Sequence, residues 1–231
     1  MTSPDIEPLP DSLTEGAAWI WKWQDRLNAV ALSIGSGTIA IGQGGDKSLQ
    51  RDTLQKFLRA FAAEFTENME NFYWKHWSKE SREGRYFQLV ETGDQIRENR
   101  AQNVKVELVD MLFFLVSYLQ VAGYPEERWT IHWGNDARWN SPRDGFSPAT
   151  NRAVVDLTMD CLFLLGGHMQ TGDRSQLGQA IVKLRDACSL LYSWQTIHEA
   201  YARKLAINFE RQARGRQQVG DTISERENQR V

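Results

Sequence analysis

The spacing of apolar residues along the chain predicts a bundle of helices. Apolar positions recur at steps of three and four residues, and no segment alternates apolar and polar residues as a half-buried strand does. The pattern predicts an all-α, bundle-like domain of five to seven helices around a central helix at 104–121. The segments expected to be helical are 12–33, 47 or 52 to 77, 104–121, 148–167, 173–191 and 193–211.

Capping residues and glycines indicate where some of these helices begin and end. Ser12 and Glu15 have the spacing of a capping box at the start of the first helix. Gly166 and Gly167 are expected to end the fourth helix, because glycine is favoured just past a helix C-terminus. His168 would then lie just outside that helix, in a structural rather than a catalytic position.

The segments between the helices are expected to be irregular. Five glycines between 35 and 45 predict a loop, and 78–103 and 122–147 are expected to be connections that each allow a short helical turn. We expect a single helical domain at 12–215, preceded by an irregular lead-in at 1–11. Residues 216–231 are almost free of apolar side chains and are expected to be a disordered tail.

The helix at 104–121 carries two acidic residues in surroundings that are apolar on nearly every side. A helix of this kind is buried, so Glu107 and Asp110 cannot be ordinary solvated charges. A buried carboxylate without compensation costs several kcal/mol or takes up a proton. A metal ion is one source of compensation. Pairing with arginine or lysine is the alternative that involves no metal.

A second acidic pair, Glu64 and Glu67, has the same three-residue spacing on the helix at 47–77. Residues three apart point the same way from a helix, so the two pairs could form one cage of four carboxylates. Oxygen ligands of this kind suit Mg²⁺, or Mn²⁺ in its place. No histidine has the Glu-x-x-His spacing of di-iron bundles, so iron and zinc are not expected. The corresponding chemistry is metal-assisted hydrolysis of a phosphoanhydride.

Gln24 and Asn28 are one helical turn apart on the first helix, so their amides share a face. From spacing alone they could be surface amides, or a pair that binds the polar edge of a ligand. Both interpretations remain open at this point.

Composition excludes several classes of partner. A net charge of −3 without a basic face gives no reason to expect nucleic-acid binding. No apolar run reaches the ~18–20 residues that span a bilayer, and the N-terminus lacks a signal-peptide pattern. Cys161 and Cys188 lie in apolar helical segments and are expected to be buried free thiols. We therefore expect a cytoplasmic protein with no nucleic-acid or membrane partner.

Four motifs follow one another along the chain. The first helix has Gln-Asp-Arg-Leu-Asn at 24–28. The Glu-x-x-Glu segment at 64–67 leads into Phe-Tyr-Trp-Lys-His-Trp at 72–77, and Asn-Val-Lys-Val-Glu-Leu-Val-Asp follows at 103–110. The last helix has Lys-x-x-x-Asn-x-x-Arg at 204–211, followed by a glycine at 215. In combination, these motifs resemble the dimeric dUTPases of the all-α NTP pyrophosphatase (MazG-like) superfamily.

The resemblance implies a homodimer that hydrolyses dUTP and dUDP to dUMP with Mg²⁺, and it implies a role for each motif residue. The four carboxylates would bind Mg²⁺, and Glu67 would also orient or deprotonate the attacking water. Gln24 and Asn28 would recognise the uracil edge. The residues that would hold the phosphates are Lys204, Asn208, Arg211 and, more weakly, Lys75.

The chain departs from the family pattern at two positions and in one segment. Phe113 stands where relatives have histidine, and Leu205 stands where asparagine is common. Residues 216–219 replace the usual tyrosine and basic or glycine continuation. These departures bear on how the protein closes over the triphosphate and how it selects the sugar.

One alternative function is a related pyrophosphatase that acts on dCTP, on purine dNTPs or on a broad range of NTPs. Another is a helical protein that binds nucleotides without catalysis.

Overall fold

A computed structural model of the protein describes residues 5–36, 47–91, 96–134, 139 and 145–213. The described part is all-α, as the apolar spacing predicted, and its only β-pairing is an isolated bridge between Phe72 and Leu89. The helices are α1 (Leu13–Ser36), α2 (Lys47–Met69), α3 (Ile96–Val121), α4 (Glu126–Gly134), α5 (Pro148–Thr171), α6 (Ser175–Ser189) and α7 (Trp194–Ala213), with a short π-helical turn at Ser81–Arg85.

Helix α3 lies at the centre of the bundle, as expected from its apolar circumference. It contacts α1, α2, α6 and α7, while α5 packs on α2 and α6 and α4 packs on α1 and α6. Nearly every side chain of α3 from Val104 onward is buried. This central position means that any polar side chain on α3 must find its partners inside the protein.

Serine side chains cap the starts of α1 and α7, and the cap of α1 was predicted. The Ser12 hydroxyl donates to the Glu15 carboxylate at 2.7 Å and accepts from the Glu15 N–H, so Ser12 caps α1 and Glu15 is its partner. Ser193 caps α7 by accepting from the N–H of Thr196 at 3.2 Å.

Helix α2 ends eight residues earlier than the apolar stripe predicted, at Met69 instead of Trp77. Beyond Met69 the chain turns, and the main chain of Tyr73 exchanges hydrogen bonds with Gln88 and Phe87. The Phe72 side chain is buried there beside Leu89. The prediction was wrong because apolar residues after Met69 pack in this turn and happen to continue the helical spacing.

The two long connections contain more helix than predicted. Helix α3 begins at Ile96, eight residues before the predicted start at 104, and the nine-residue helix α4 lies within the predicted loop at 122–147. The tryptophans of that segment are buried, and the rings of Trp129 and Trp133 stack with centroids 5.0 Å apart. Burial of these large rings stabilises a helix that local composition alone does not indicate.

Helix α5 continues through Gly166 and Gly167 to Thr171, and the left-handed residue that ends it is Gly172, with φ of 72°. The predicted end was wrong, since both glycines lie inside α5 and Gly167 packs against a side chain of α6. A Cβ at Gly167 would lie 2.7 Å from Oε1 of Gln176. His168 is consequently inside the helix, where Nδ1 of its ring is 2.8 Å from the Tyr118 hydroxyl.

Several expectations fall on residues outside the described ranges. These are most of the glycine loop at 35–45, the glycine at 215, the tail at 216–231 and the first four residues of the lead-in. None of the helices that the structure describes combines the length and apolar character needed to cross a bilayer.

Candidate active site

A cavity of about 530 Å³ opens between α1, α2, α3 and α7. Nine of the ten residues singled out from the sequence line it, and they come from all four helices. The remaining described lining residues are Leu27, Ala31, Thr53, Lys56, Phe57, Phe113, Phe114, Ser117 and Gln212. Residues far apart in the chain therefore meet in one place, with carboxylates from α2 and α3, amides from α1 and cations from α7.

Three carboxylates form a tight group in the cavity wall. Oxygens of Glu64, Glu107 and Asp110 all lie within 4.8 Å of one another. Glu64 and Glu107 are hydrogen-bonded through their carboxyl groups, which requires a proton between them. Burial, followed by this bond, raises the pKa of Glu107 to about 10. Burial and the neighbouring Asp110 raise the pKa of Glu64 to about 7. The group therefore needs a positive partner, either protons or a cation.

Asp110 is paired with a lysine from α7. Lys204 Nζ donates to Asp110 Oδ2 at 2.8 Å, and both side chains are largely buried. Burial raises the pKa of Asp110, although the ammonium of Lys204 acts in the opposite direction. Pairing with lysine, one of the two kinds of compensation expected from the sequence, is therefore present at Asp110, whereas Glu107 is bonded to another acid.

Glu67 lies one turn beyond Glu64 on α2 and is exposed at the cavity wall. It is not a member of the three-carboxylate group. Burial and then the charge of Asp110 raise the pKa of Glu67. A carboxylate with raised pKa that still reaches solvent is suited to accept a proton from water.

Gln24 and Asn28 are buried, at 2% and 3% exposure, so the surface-amide interpretation was wrong. Gln24 Nε2 donates to Asn28 Oδ1 at 3.1 Å and to the Ser117 hydroxyl at 2.9 Å. Asn28 Nδ2 donates to Gln120 Oε1 at 2.8 Å, and the Tyr201 hydroxyl donates to Gln24 Oε1. Burying amides is tolerable only when their groups are bonded, as these are.

The network partners Ser117, Gln120 and Tyr201 were missed from the sequence. A usable signal existed for two of them, because Ser117 and Gln120 are polar exceptions in the apolar sequence of α3. Tyr201 had no such signal. Its ring stacks on Phe113 with centroids 4.0 Å apart and planes at 11°. Phe113, a departure from the family pattern, therefore belongs to the cavity wall and supports Tyr201.

Helix α7 brings its polar face to the same cavity. Lys204, Asn208 and Arg211 line it, as does Gln212, which was not predicted. Gln212 Oε1 is buried without a hydrogen-bond partner among the described residues. The face presents one ammonium, one guanidinium and two amides to whatever occupies the cavity.

Lys75 is the one predicted site residue that does not line the cavity. It is exposed in the turn after α2, and its Nζ lies 5.6 Å from the ring centroid of Trp74. Trp77 in the same turn is 59% exposed. The Trp-Lys-His-Trp segment thus lies apart from the cavity wall.

Comparison with known protein families agrees with this arrangement of side chains. A model of the all-α dUTPase family, described as "dUTPase", matches residues 39–215. The chain belongs to the dUTPase family. No curated protein sequence matches the chain. The matched range contains the four carboxylates and the polar face of α7, whereas Gln24 and Asn28 precede it.

Family membership assigns the chemistry of the cavity in general terms. The protein is a hydrolase that acts on phosphoanhydride bonds, with dUTP diphosphatase-like activity. The carboxylate group agrees with the divalent metal that this family generally needs. The family also points to a nucleotide as the substrate.

Proposed function

We propose that the protein is a Mg²⁺-dependent nucleotidohydrolase that converts dUTP to dUMP and pyrophosphate, and dUDP to dUMP and phosphate. The observation that carries the proposal is the division of one cavity into a carboxylate group, a buried amide pair and a cationic helix face. These three parts correspond to the metal, base and phosphates of a nucleotide. Mn²⁺ would act as a substitute metal, since it takes similar oxygen ligands.

The donor set suits a hard cation. All four proposed ligands, Glu64, Glu67, Glu107 and Asp110, offer carboxylate oxygens, and three of them lie close enough to share one ion. The proton between Glu64 and Glu107 and the pairing of Asp110 with Lys204 supply the positive charge that Mg²⁺ would otherwise bring. When bound, the ion supplies charge neutralisation at the phosphates and lowers the pKa of water.

The protein residues supply the remaining chemistry. Glu67 orients the attacking water and accepts its proton, for which its exposure and raised pKa are suited. Arg211 and Lys204 stabilise the negative charge of the departing phosphate, and Asn208 holds a phosphate oxygen. We leave Lys75 out of this phosphate-binding set, because it is exposed beside Trp74.

Gln24 and Asn28 bind the base in this proposal. Their burial and their shared hydrogen bonds hold both amides in one orientation, and a preorganised polar pair favours one hydrogen-bonding edge over another. Phe113 and Phe114 line the same cavity and offer apolar surface for a nucleobase.

Product analysis tests this function. Each dNTP and dUDP is incubated separately with the protein and Mg²⁺, and the products are separated by ion-exchange chromatography. We expect dUMP from both uracil nucleotides, with pyrophosphate from dUTP and phosphate from dUDP. Equal rates on dUTP and dCTP or dGTP would contradict uracil selectivity. Wild-type turnover by Glu67→Gln would contradict the assignment of the water-activating residue.

The proposal extends to assembly and location. We propose a homodimer, as the family resemblance implies, and the strongly exposed Phe163 on α5 and Ile131 on α4 are candidates for burial in it. Multi-angle light scattering tests this directly, with a monomer mass as the contradictory result. A cytoplasmic location is supported by two cysteines that are both buried and free.

A further inference from the structure

The buried amide network connects a main-chain carbonyl to a tyrosine hydroxyl through three side-chain amides. Gln120 Nε2 donates to the carbonyl oxygen of Trp21 at 2.8 Å. Gln120 Oε1 accepts from Asn28 Nδ2 at 2.8 Å, and Asn28 Oδ1 accepts from Gln24 Nε2 at 3.1 Å. Gln24 Oε1 then accepts from the Tyr201 hydroxyl.

The direction of this whole series is determined at one end. A carbonyl oxygen can only accept, so Gln120 must turn its NH₂ group toward Trp21 and its oxygen toward Asn28. Asn28 must then donate its NH₂ group to the Gln120 oxygen, so that its own oxygen accepts from Gln24. The Tyr201 hydroxyl at the other end can donate or accept, so it adapts to Gln24 and imposes no orientation. The Ser117 hydroxyl, which lies within hydrogen-bond distance of Asn28 Oδ1 and of the Phe113 carbonyl oxygen, can also donate or accept and adapts in the same way.

We propose that Gln120 is a positioning residue that fixes which atoms of Gln24 and Asn28 are donors and acceptors, and thereby selects the base. This inference rests on the proposed function of the cavity. Gln120 does not line the cavity and is 4% exposed, so it acts on a bound base only through Asn28.

The bonds left over define what the pair offers to a ligand. Both N–H groups of Gln24 are engaged, with Asn28 and Ser117, whereas Oε1 has a second lone pair beside its bond from Tyr201. Asn28 Nδ2 donates one N–H to Gln120. No hydrogen bond between described residues uses its second N–H. The pair thus offers an acceptor on Gln24 and a donor on Asn28.

Uracil matches an acceptor beside a donor, because its ring N–H stands next to carbonyl oxygens. At the corresponding ring position cytosine has a nitrogen that accepts, next to an amino group that donates. A cytosine in the uracil position therefore meets the wrong partner at both atoms. If the side-chain amides of Asn28 and Gln24 both rotated by 180°, each would exchange its oxygen and its NH₂ group, and the reversed pair would bind cytosine there. Gln120 prevents that reversal.

The test compares kcat/KM for dUTP and dCTP in full-length variants with Mg²⁺. Gln120→Met has similar volume but neither donor nor acceptor, and we expect the dUTP-to-dCTP ratio to fall by about tenfold or more. Gln120→Glu presents an acceptor to Asn28 in either protonation state, so we expect it to keep the wild-type ratio within about threefold. If Gln120→Glu keeps the selectivity and Gln120→Met loses it, the hydrogen bond of residue 120 and not its volume determines the selectivity.

Gln50→Met is the matched control. Gln50 Nε2 donates to the main-chain oxygen of Val121 at 2.7 Å, a bond of the same kind, but Gln50 does not line the cavity and shares no hydrogen bond with Gln24 or Asn28 in the described part of the chain. We expect it to keep the wild-type ratio. Thermal unfolding of every variant reports the general cost of losing a buried hydrogen bond.

The outcomes separate this inference from the proposed function. A folded Gln120→Met variant with the wild-type ratio overturns the role of Gln120, as does a Gln120→Glu variant with relaxed selectivity. If Gln120→Met does not fold, the ratio of Gln120→Glu decides alone. A wild-type protein that shows no preference for dUTP over dCTP refutes the uracil selectivity of the proposed function itself.

Discussion

Replacing Glu107 by glutamine should separate the stability of the protein from its ability to bind a metal. Glu107 is buried and hydrogen-bonded to Glu64, and burial raises its pKa to about 10. At neutral pH it carries a proton in the metal-free protein. A glutamine amide has nearly the same shape and also donates, so we expect Glu107→Gln to preserve the fold while it removes a proposed Mg²⁺ ligand.

The size of the stability change follows from the proton that Glu107 retains when the chain folds. Its pKa in the unfolded chain is near 4.5, so between 4.5 and about 10 the unfolded state has released a proton that the folded state retains. Metal-free stability therefore falls as pH rises through this window, by about 1.4 kcal/mol per pH unit. Between pH 7 and 9 the wild type should lose about 3 kcal/mol that Glu107→Gln does not lose.

Denaturant unfolding at pH 7 and pH 9, in EDTA and in Mg²⁺, measures both effects. Mg²⁺ at about 100 times its Kd should stabilise the wild type by about 2.7 kcal/mol and leave Glu107→Gln unchanged and inactive. Glu70→Gln is the matched control, because Glu70 is exposed just past the end of α2 and does not line the cavity. A Glu107→Gln variant with the pH slope and Mg²⁺ response of the wild type would refute the reasoning.

Three further predictions concern other parts of the molecule. Burial lowers the pKa of His198 to about 4, so lowering the pH from 7 to 4 should reduce the unfolding free energy of the wild type by about 3 kcal/mol relative to His198→Gln. A difference that does not change with pH in denaturant titrations would contradict this. Asn151 Nδ2 donates at 2.7 Å to the main-chain oxygen of Phe87, whose φ of 58° is unusual, so Asn151→Ala should cost about 1–3 kcal/mol in thermal unfolding. An unchanged melting temperature would show that the bond contributes little. Cys161 and Cys188 are fully buried with raised thiol pKa values, so DTNB should label neither until guanidinium unfolds the protein. Rapid labelling of the native protein would contradict their burial.

Long-range packing explains which parts of the fold could be predicted from the sequence. The central position of α3 was predictable, because an apolar circumference has no other stable environment. The end of α2 at Met69 was not, since the turn that follows depends on pairing between Phe72 and Leu89, which lie far apart in the sequence. Similarly, α5 continues past Gly167, where the Gln176 side chain of α6 lies against it. Local spacing carries no information about either contact.

The candidate site was predictable to the extent that spacing on one helix defines it. Pairs such as Glu107 with Asp110 share a face whatever surrounds them. The partners that orient Gln24 and Asn28 could not be derived in this way, because Ser117 and Gln120 are about ninety positions away and become neighbours only when α1 packs on α3. The pairing of Lys204 with Asp110 depends on α7 for the same reason.

The lysine that pairs with Asp110 and the proton held between Glu64 and Glu107 offset part of the negative charge of the four carboxylates. Folding and metal loading are then separate events, unlike those of small zinc domains that are unfolded without their metal. The protein should refold in EDTA and recover full activity when Mg²⁺ is added. The concentration of free Mg²⁺ would then determine the fraction of active molecules, whether or not Mg²⁺ was present while the chain folded.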